Sequence, residues 1–269
     1  MNTAALSHGD LAYIDRGQGA PVLLLHGFPL DHTMWNAQIE ALAEHARVIA
    51  PDLRGFGQSP LSAVDPEHGI SMEQYADEVA ELLDALNITE PNVLVGFSMG
   101  GYVAWQFVRK YGDRVRALIQ CDTRAIADTE EARAGRIKMA DNVAEWGSRR
   151  VAEMMGPKLF SARALETKPQ LMAEVRGVVE RTPPAAIAAA QRGMAARPDM
   201  TSFLASIHLP TLVLVGALDV ISSSAEMRTI AEAIPGADFV EIPNSGHMTT
   251  MENANAVNQS LSEFITSLR

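Results

Sequence analysis

Five uninterrupted apolar runs constrain this chain more than any other feature. They are PVLLLHG (21–27), RVIAPDL (47–53), NVLVGFS (92–98), VRALIQCD (115–122) and PTLVLVGALD (210–219). Each is rich in Val, Leu and Ile, and none alternates with polar residues over its apolar centre. A strand with one face in water must alternate, whereas a strand covered on both faces need not. The runs therefore read as buried strands of a mainly parallel sheet. Helical patterns lie between them. SMEQYADEVAELLDALNI (71–88) opens at Ser71, a good N-cap residue, and places apolar side chains at 72, 75, 76, 79, 82, 83 and 86, with Asn87 near its end. That spacing is one stripe of an amphipathic helix. Alternating strands and helices predict an α/β layered sheet with right-handed crossovers.

Residues 124–208 break the alternation. They hold no strand-like run and are rich in Ala, Arg, Glu and Met, including Met139, Met154, Met155, Met172, Met194 and Met200. The expectation is a set of helices inserted between two core strands, with breaks at Gly156-Pro157 and Pro183-Pro184. The core would then comprise 1–123 and 209–269, and the insertion 124–208. A chain of 269 residues is long enough for a large core plus such an insertion. Its formal charge of −11 disfavours nucleic acid and anionic membranes as partners. The single cysteine, Cys121, lies in an apolar run, reads as a buried inert thiol and suits the cytoplasm. The start, MNTAALSHGDLAY, lacks the pattern of a signal peptide, and no apolar run approaches the ~20 residues of a membrane helix.

The chemistry centres on GFSMGG (96–101), between the third apolar run and the helical stretch YVAWQFVRKYG, which should end at Gly112 as a C-cap. G-x-S-x-G between a strand and a helix is the nucleophile-elbow pattern. It holds a serine in a strained conformation with its Oγ exposed, and the glycines make room for a very tight turn. The helix N-terminus then aims its dipole and free N–H groups at the place where an oxyanion forms. As a bare pattern the motif is weak, and partners make it specific. A serine needs a base. On such a fold the partners follow in the order Ser, acid, His. Beyond 208 the chain has one histidine, His247, in the polar loop PNSGHMTTMEN. Asp219, at the end of TLVLVGALD, is the candidate acid. Asp122, after ALIQC, is its rival, while Asp238 and Glu241 flank or lie within a strand and should face solvent.

The second oxyanion donor should come from LLLHGFP, where Gly27 turns the backbone and the Phe28 N–H would face the pocket beside the Met99 N–H. His26 reads as a structural hydrogen-bonding residue of this loop. A metal reading of His26 and His32 finds no carboxylate or cysteine at ligand spacing. PDLRGFGQS (51–59) could bind a substrate carboxylate through Arg54, but a buried network bracing the oxyanion loop is the simpler reading. The methionines of the insertion, with Trp35 and Trp146, divide between core and pocket wall.

HGFPLDHTMW, PDLRGFGQS, GFSMGGYVA, LVGALD and SGHMTTMEN together resemble the α/β-hydrolase superfamily over nearly the whole chain. CDTRA and AAIAAAQRGMAARPDM add a narrower likeness to the 3-oxoadipate enol-lactonase-like carboxylesterases. The resemblance implies an eight-stranded, mostly parallel sheet with a helical cap over the active site. It implies Ser98 as nucleophile, Asp219 as acid, His247 as base, and Phe28 and Met99 as oxyanion donors. Relatives usually carry prolines after the acid and after the histidine, where this chain reads DVISSS and ENA. The expected activity is hydrolysis of small carboxylic esters or lactones, with no cofactor or metal. C–C bond hydrolysis, cofactor-free perhydrolysis and a ligand receptor with little turnover are the alternatives. For an anionic lactone, one of Arg124, Arg192 or Arg197 would pair with the carboxylate.

Overall fold

The computed structural model describes residues 1–62 and 65–268. The chain opens with an antiparallel hairpin, β1 (Asn2–Leu6) and β2 (Gly9–Arg16), which the apolar runs did not announce. The five runs then form β3 (Pro21–Leu25), β4 (Arg47–Pro51), β5 (Asn92–Phe97), β6 (Val115–Cys121) and β7 (Thr211–Gly216), and DFVEI forms β8 (Asp238–Ile242). The sheet order is β1-β2-β4-β3-β5-β6-β7-β8, with β3 to β8 paired in parallel. All residues of β3, β5 and β7 are buried. Residues such as Leu24, Val95 and Leu214 have no accessible surface, and each contributes about 1.5–3 kcal/mol by leaving water.

Helices cover both faces. α1 (Asn36–Leu42) follows a short 3-10 turn at His32–Trp35, and α2 (Asp65–His68) precedes α3 (Met72–Ala85). In α3, Ser71 caps the helix and the Gln74 side chain reciprocates, so two otherwise orphaned N–H groups are satisfied. α4 (Met99–Tyr111) follows β5 directly. Gly112 occupies its C-cap position, but with φ −55 it is right-handed and leads into a 3-10 turn, so it does not terminate the helix as a left-handed glycine would.

Between β6 and β7 the described chain is helical: α5 (Glu130–Leu159), α6 (Ala162–Thr167), α7 (Pro169–Arg181), α8 (Pro184–Ala195) and α9 (Thr201–Leu204). The break at Pro183-Pro184 separates α7 from α8. The break read at Gly156-Pro157 is a correction: α5 runs through Pro157 and kinks instead at Gly147, whose φ is 74. A Cβ on Gly156 would lie 1.9 Å from the terminal methyl of Met172 on α7, a flexible side-chain end that can swing aside. The chain closes with α10 (Ser224–Ala233), α11 (Thr249–Glu252) and α12 (Ala254–Ser267). Among the described residues no helix is long and apolar enough to cross a membrane.

Candidate active site

Ser98 sits between the end of β5 and the start of α4 with φ 51 and ψ −111. A non-glycine residue with positive φ is strained and persists only where its surroundings over-determine it. The flanking glycines show how tight this turn is. A Cβ on Gly96 would lie 2.6 Å from the Gly100 carbonyl oxygen, and one on Gly100 would lie 2.2 Å from that of Leu25. The Thr123 hydroxyl donates to the Ser98 carbonyl at 2.7 Å and pins the turn to the end of β6.

Ser98 Oγ lies 3.0 Å from His247 Nε2, and His247 Nδ1 lies 2.8 Å from Asp219 Oδ2. With Nδ1–H donating to the carboxylate, Nε2 is left to accept the serine O–H. Asp219 Oδ1 accepts the N–H groups of Ile221 (2.7 Å) and Ser222 (3.1 Å), which fix the carboxylate. Asp219 and His247 are buried, and Ser98 is half-buried. The Phe97 ring packs against the imidazole at 5.2 Å between centres.

Asp122, the rival acid, is fully buried beside this group and also has positive φ, 47. Its Oδ1 accepts the Gly216 N–H at 2.9 Å, and its Oδ2 accepts the Thr249 hydroxyl. Burial and the neighbouring Asp219 charge push its carboxyl well above the usual range. Asp238 and Glu241 are exposed on β8.

The Phe28 N–H makes no bond to another group among the described residues, although Phe28 is buried. Met99 is the first residue of α4, so its N–H has no intrahelical acceptor. Behind Phe28, His26 is fully buried. Its Nδ1–H donates to the Gly27 carbonyl and its Nε2 accepts the Leu53 N–H, both at 2.9 Å. Burial lowers its pKa, and the neutral ring clips the loop after β3 to the loop after β4.

The second loop is a buried network. Asp52 accepts the His32 N–H, the His32 Nδ1–H and the Gln58 N–H, while Arg54 pairs with Asp65 at 3.0 Å and Glu78 at 2.7 Å. Arg54 is thus committed internally. His32 does lie between two carboxylates, Asp31 and Asp52, which the linear spacing did not reveal. Both are already occupied, Asp31 Oδ1 by the N–H and hydroxyl of Thr33.

The remaining candidates divide. Arg124 pairs with Glu226, Arg192 with Asp141 and Arg197 with Asp128, and the Arg197 guanidinium also stacks 4.3 Å from the Tyr102 ring centre. Trp35 is buried edge-on to Phe97, Trp146 is half-buried, and burial raises the pKa of the Cys121 thiol. Sequence reading gave no role to Thr249 or Glu252, whose hydrogen bonds hold the loop around His247. Only their nearness to His247 in the chain hinted at this.

Known proteins share this fold. A solved thermophilic esterase from Thermogutta terrifontis, with malate bound, is 43% identical, covers 100% of this chain and 99% of its own, and superimposes with a TM-score of 0.95. The enol-lactonase from Burkholderia xenovorans LB400 is 28% identical over 98% of this chain and 100% of its own, with a TM-score of 0.89. By sequence, 3-oxoadipate enol-lactonase 1 of Acinetobacter baylyi is 27% identical over 95% of this chain and 92% of its own. The family model for the alpha/beta hydrolase fold matches residues 20–254. That span contains Ser98, Asp219 and His247 together with the six parallel strands that carry the loops around them, and on this ground the chain belongs to the α/β-hydrolase fold family and is a hydrolase.

Proposed function

We propose that this protein is a carboxylic ester hydrolase acting on small esters or lactones through an acyl-enzyme. The observation that carries the reading is the unbroken hydrogen-bonded chain from Ser98 Oγ through His247 to Asp219. His247 Nε2 takes the serine proton as Oγ attacks the carbonyl carbon. Asp219 holds the Nδ1–H tautomer and stabilises the imidazolium. Negative charge on the former carbonyl oxygen falls to the N–H groups of Phe28 and Met99. His247 then protonates the leaving alcohol, and water releases the acid by the reverse sequence. A lactone follows the same course, with its alcohol remaining tethered to the acyl group.

The esterase and enol-lactonase named among the similar proteins support this substrate class. The helices of residues 124–208 act as a cap that encloses the substrate. The ligand is a small molecule. The formal charge of −11 argues against nucleic acid and anionic membranes, and the lone buried thiol fits the cytoplasm. The test is steady-state hydrolysis of p-nitrophenyl esters from acetate to octanoate and of simple lactones, with Ser98→Ala as control. Multiple turnover that disappears in the control supports the reading. Undiminished turnover in the control overturns it.

A further inference from the structure

His247 has two chain neighbours, and both are tied to the same three-residue stretch at the junction of α5 and α6. The Met248 N–H donates directly to the Leu159 carbonyl at 2.9 Å. The Gly246 N–H donates at 2.9 Å to Glu252 Oε1, and the other Glu252 oxygen accepts the Ser161 hydroxyl at 2.6 Å. The Ser161 N–H lies 3.2 Å from both carboxylate oxygens. Ser161 is also the N-cap of α6, where its Oγ accepts the Ala164 N–H at 3.1 Å. Contact at this seam is close: a Cβ on Gly246 would lie 2.6 Å from the Ser161 nitrogen. Glu252 is buried, and burial pushes its carboxyl upward against the donors of Ser161 and Gly246. A buried acid with both oxygens engaged between two segments is costly to place and specific in what it accepts.

We propose that Glu252 is a positioning residue that fixes the seat of His247 and locks it to the helical layer through Ser161. The proposal rests on reading His247 as the base that deprotonates Ser98. The imidazole must keep Nε2 aimed at Ser98 Oγ and then at the leaving oxygen, and the Glu252 carboxylate sets where the preceding backbone runs. Seating of residues 159–161 and ordering of the base are therefore one event. A shift of that junction moves His247 without touching Ser98, Phe28 or Met99.

The experiment is a double-mutant cycle on p-nitrophenyl acetate hydrolysis with Glu252→Gln, Ser161→Ala and the double variant, with thermal melts to establish folding. Gln replaces one acceptor oxygen with a donor, and Ala removes the hydroxyl. Each single variant should lower kcat about 10- to 100-fold, the scale on which small misplacement acts, with KM within about twofold. The double variant should be about as impaired as the worse single, because both break one linkage. Ser161→Thr keeps the hydroxyl and should restore kcat to within about threefold. If Glu252→Gln does not fold, Ser161→Ala against Ser161→Thr carries the same test. A folded Glu252→Gln or Ser161→Ala with wild-type kcat, a loss in the double variant equal to the product of the singles, or an effect on KM alone would overturn the proposal. Ser98→Ala separates the two levels. If it stays active, the triad reading fails and takes this proposal with it. If it is inactive while kcat survives in both single variants, the positioning role alone fails.

Discussion

Asp122 and Asp219 follow neighbouring strands, and a carboxylate oxygen of each lies within 4.8 Å of a His247 ring nitrogen, yet only Asp219 bonds to the imidazole. Asp219 takes backbone donors from its own loop and faces the ring, while Asp122 spends its oxygens on Gly216 and Thr249. Only Asp219 is placed to hold the imidazole Nδ1–H. Asp219→Asn should therefore lower kcat by roughly 10⁴ through the wrong His247 tautomer, and Asp122→Asn by less than about tenfold. Side-by-side kcat values on one ester decide it. The reverse order would move the functional acid to the end of β6.

Ser98→Ala should keep the melting temperature within a few degrees of wild type and lower kcat by roughly 10⁴–10⁶. Alanine keeps the Cβ, so the positive φ at this position persists and no gain in stability is expected from it. Calorimetry together with ester turnover measures both effects on one sample.

Gly100→Ala should cost more than an ordinary surface change although it adds a single methyl. The new Cβ would meet the Leu25 carbonyl oxygen at 2.2 Å, and backbone there cannot swing aside as a side chain can. Overpacking of this kind costs about 1–3 kcal/mol, and activity should fall further because one of the two colliding segments carries Ser98 and the other leads into Phe28. Urea denaturation with parallel turnover assays would show a loss of rate larger than the loss of folded protein.

Glu78 gives stability a pH dependence of defined sign. Burial outweighs the attraction of Arg54 and raises its pKa from 4.5 to about 7 in the folded chain. Between those values the native state holds a proton that the unfolded chain has lost, so stability falls as pH rises from 4.5 to about 7 and levels off above. Glu78→Gln mimics the protonated acid and should remove this component of the slope, on the order of 3 kcal/mol. Melts of both proteins across that window compare the slopes. Parallel slopes would mean that Arg54 keeps Glu78 charged.

The buried strands were legible because parallel strands covered on both faces need continuous apolar runs, and PVLLL, NVLVGF and TLVLVG have them. The hairpin β1–β2 was not, because its residues mix exposed and buried positions and the segment carries polar side chains such as Asp10 and Asp15. Ser98, Asp219 and His247 could be picked from loop position and chain order, and the structure brings them together. The Glu252–Ser161 bond could not, because its partners lie 91 residues apart and each looks like an ordinary capping or helix residue. The kink in α5 was misplaced because Pro157 reads as a breaker, whereas Gly147 supplies the non-helical backbone.

The Ser98–His247 hydrogen bond closes a span of 149 residues that includes β6, β7, β8 and every helix of the inserted layer. A contact between such distant partners carries a large loop-closure entropy and depends on strands that must already be aligned. Recovery of the Ser98–His247 pair during refolding is therefore a clock for the last stage of assembly, and helical circular dichroism should return before the first turnover does.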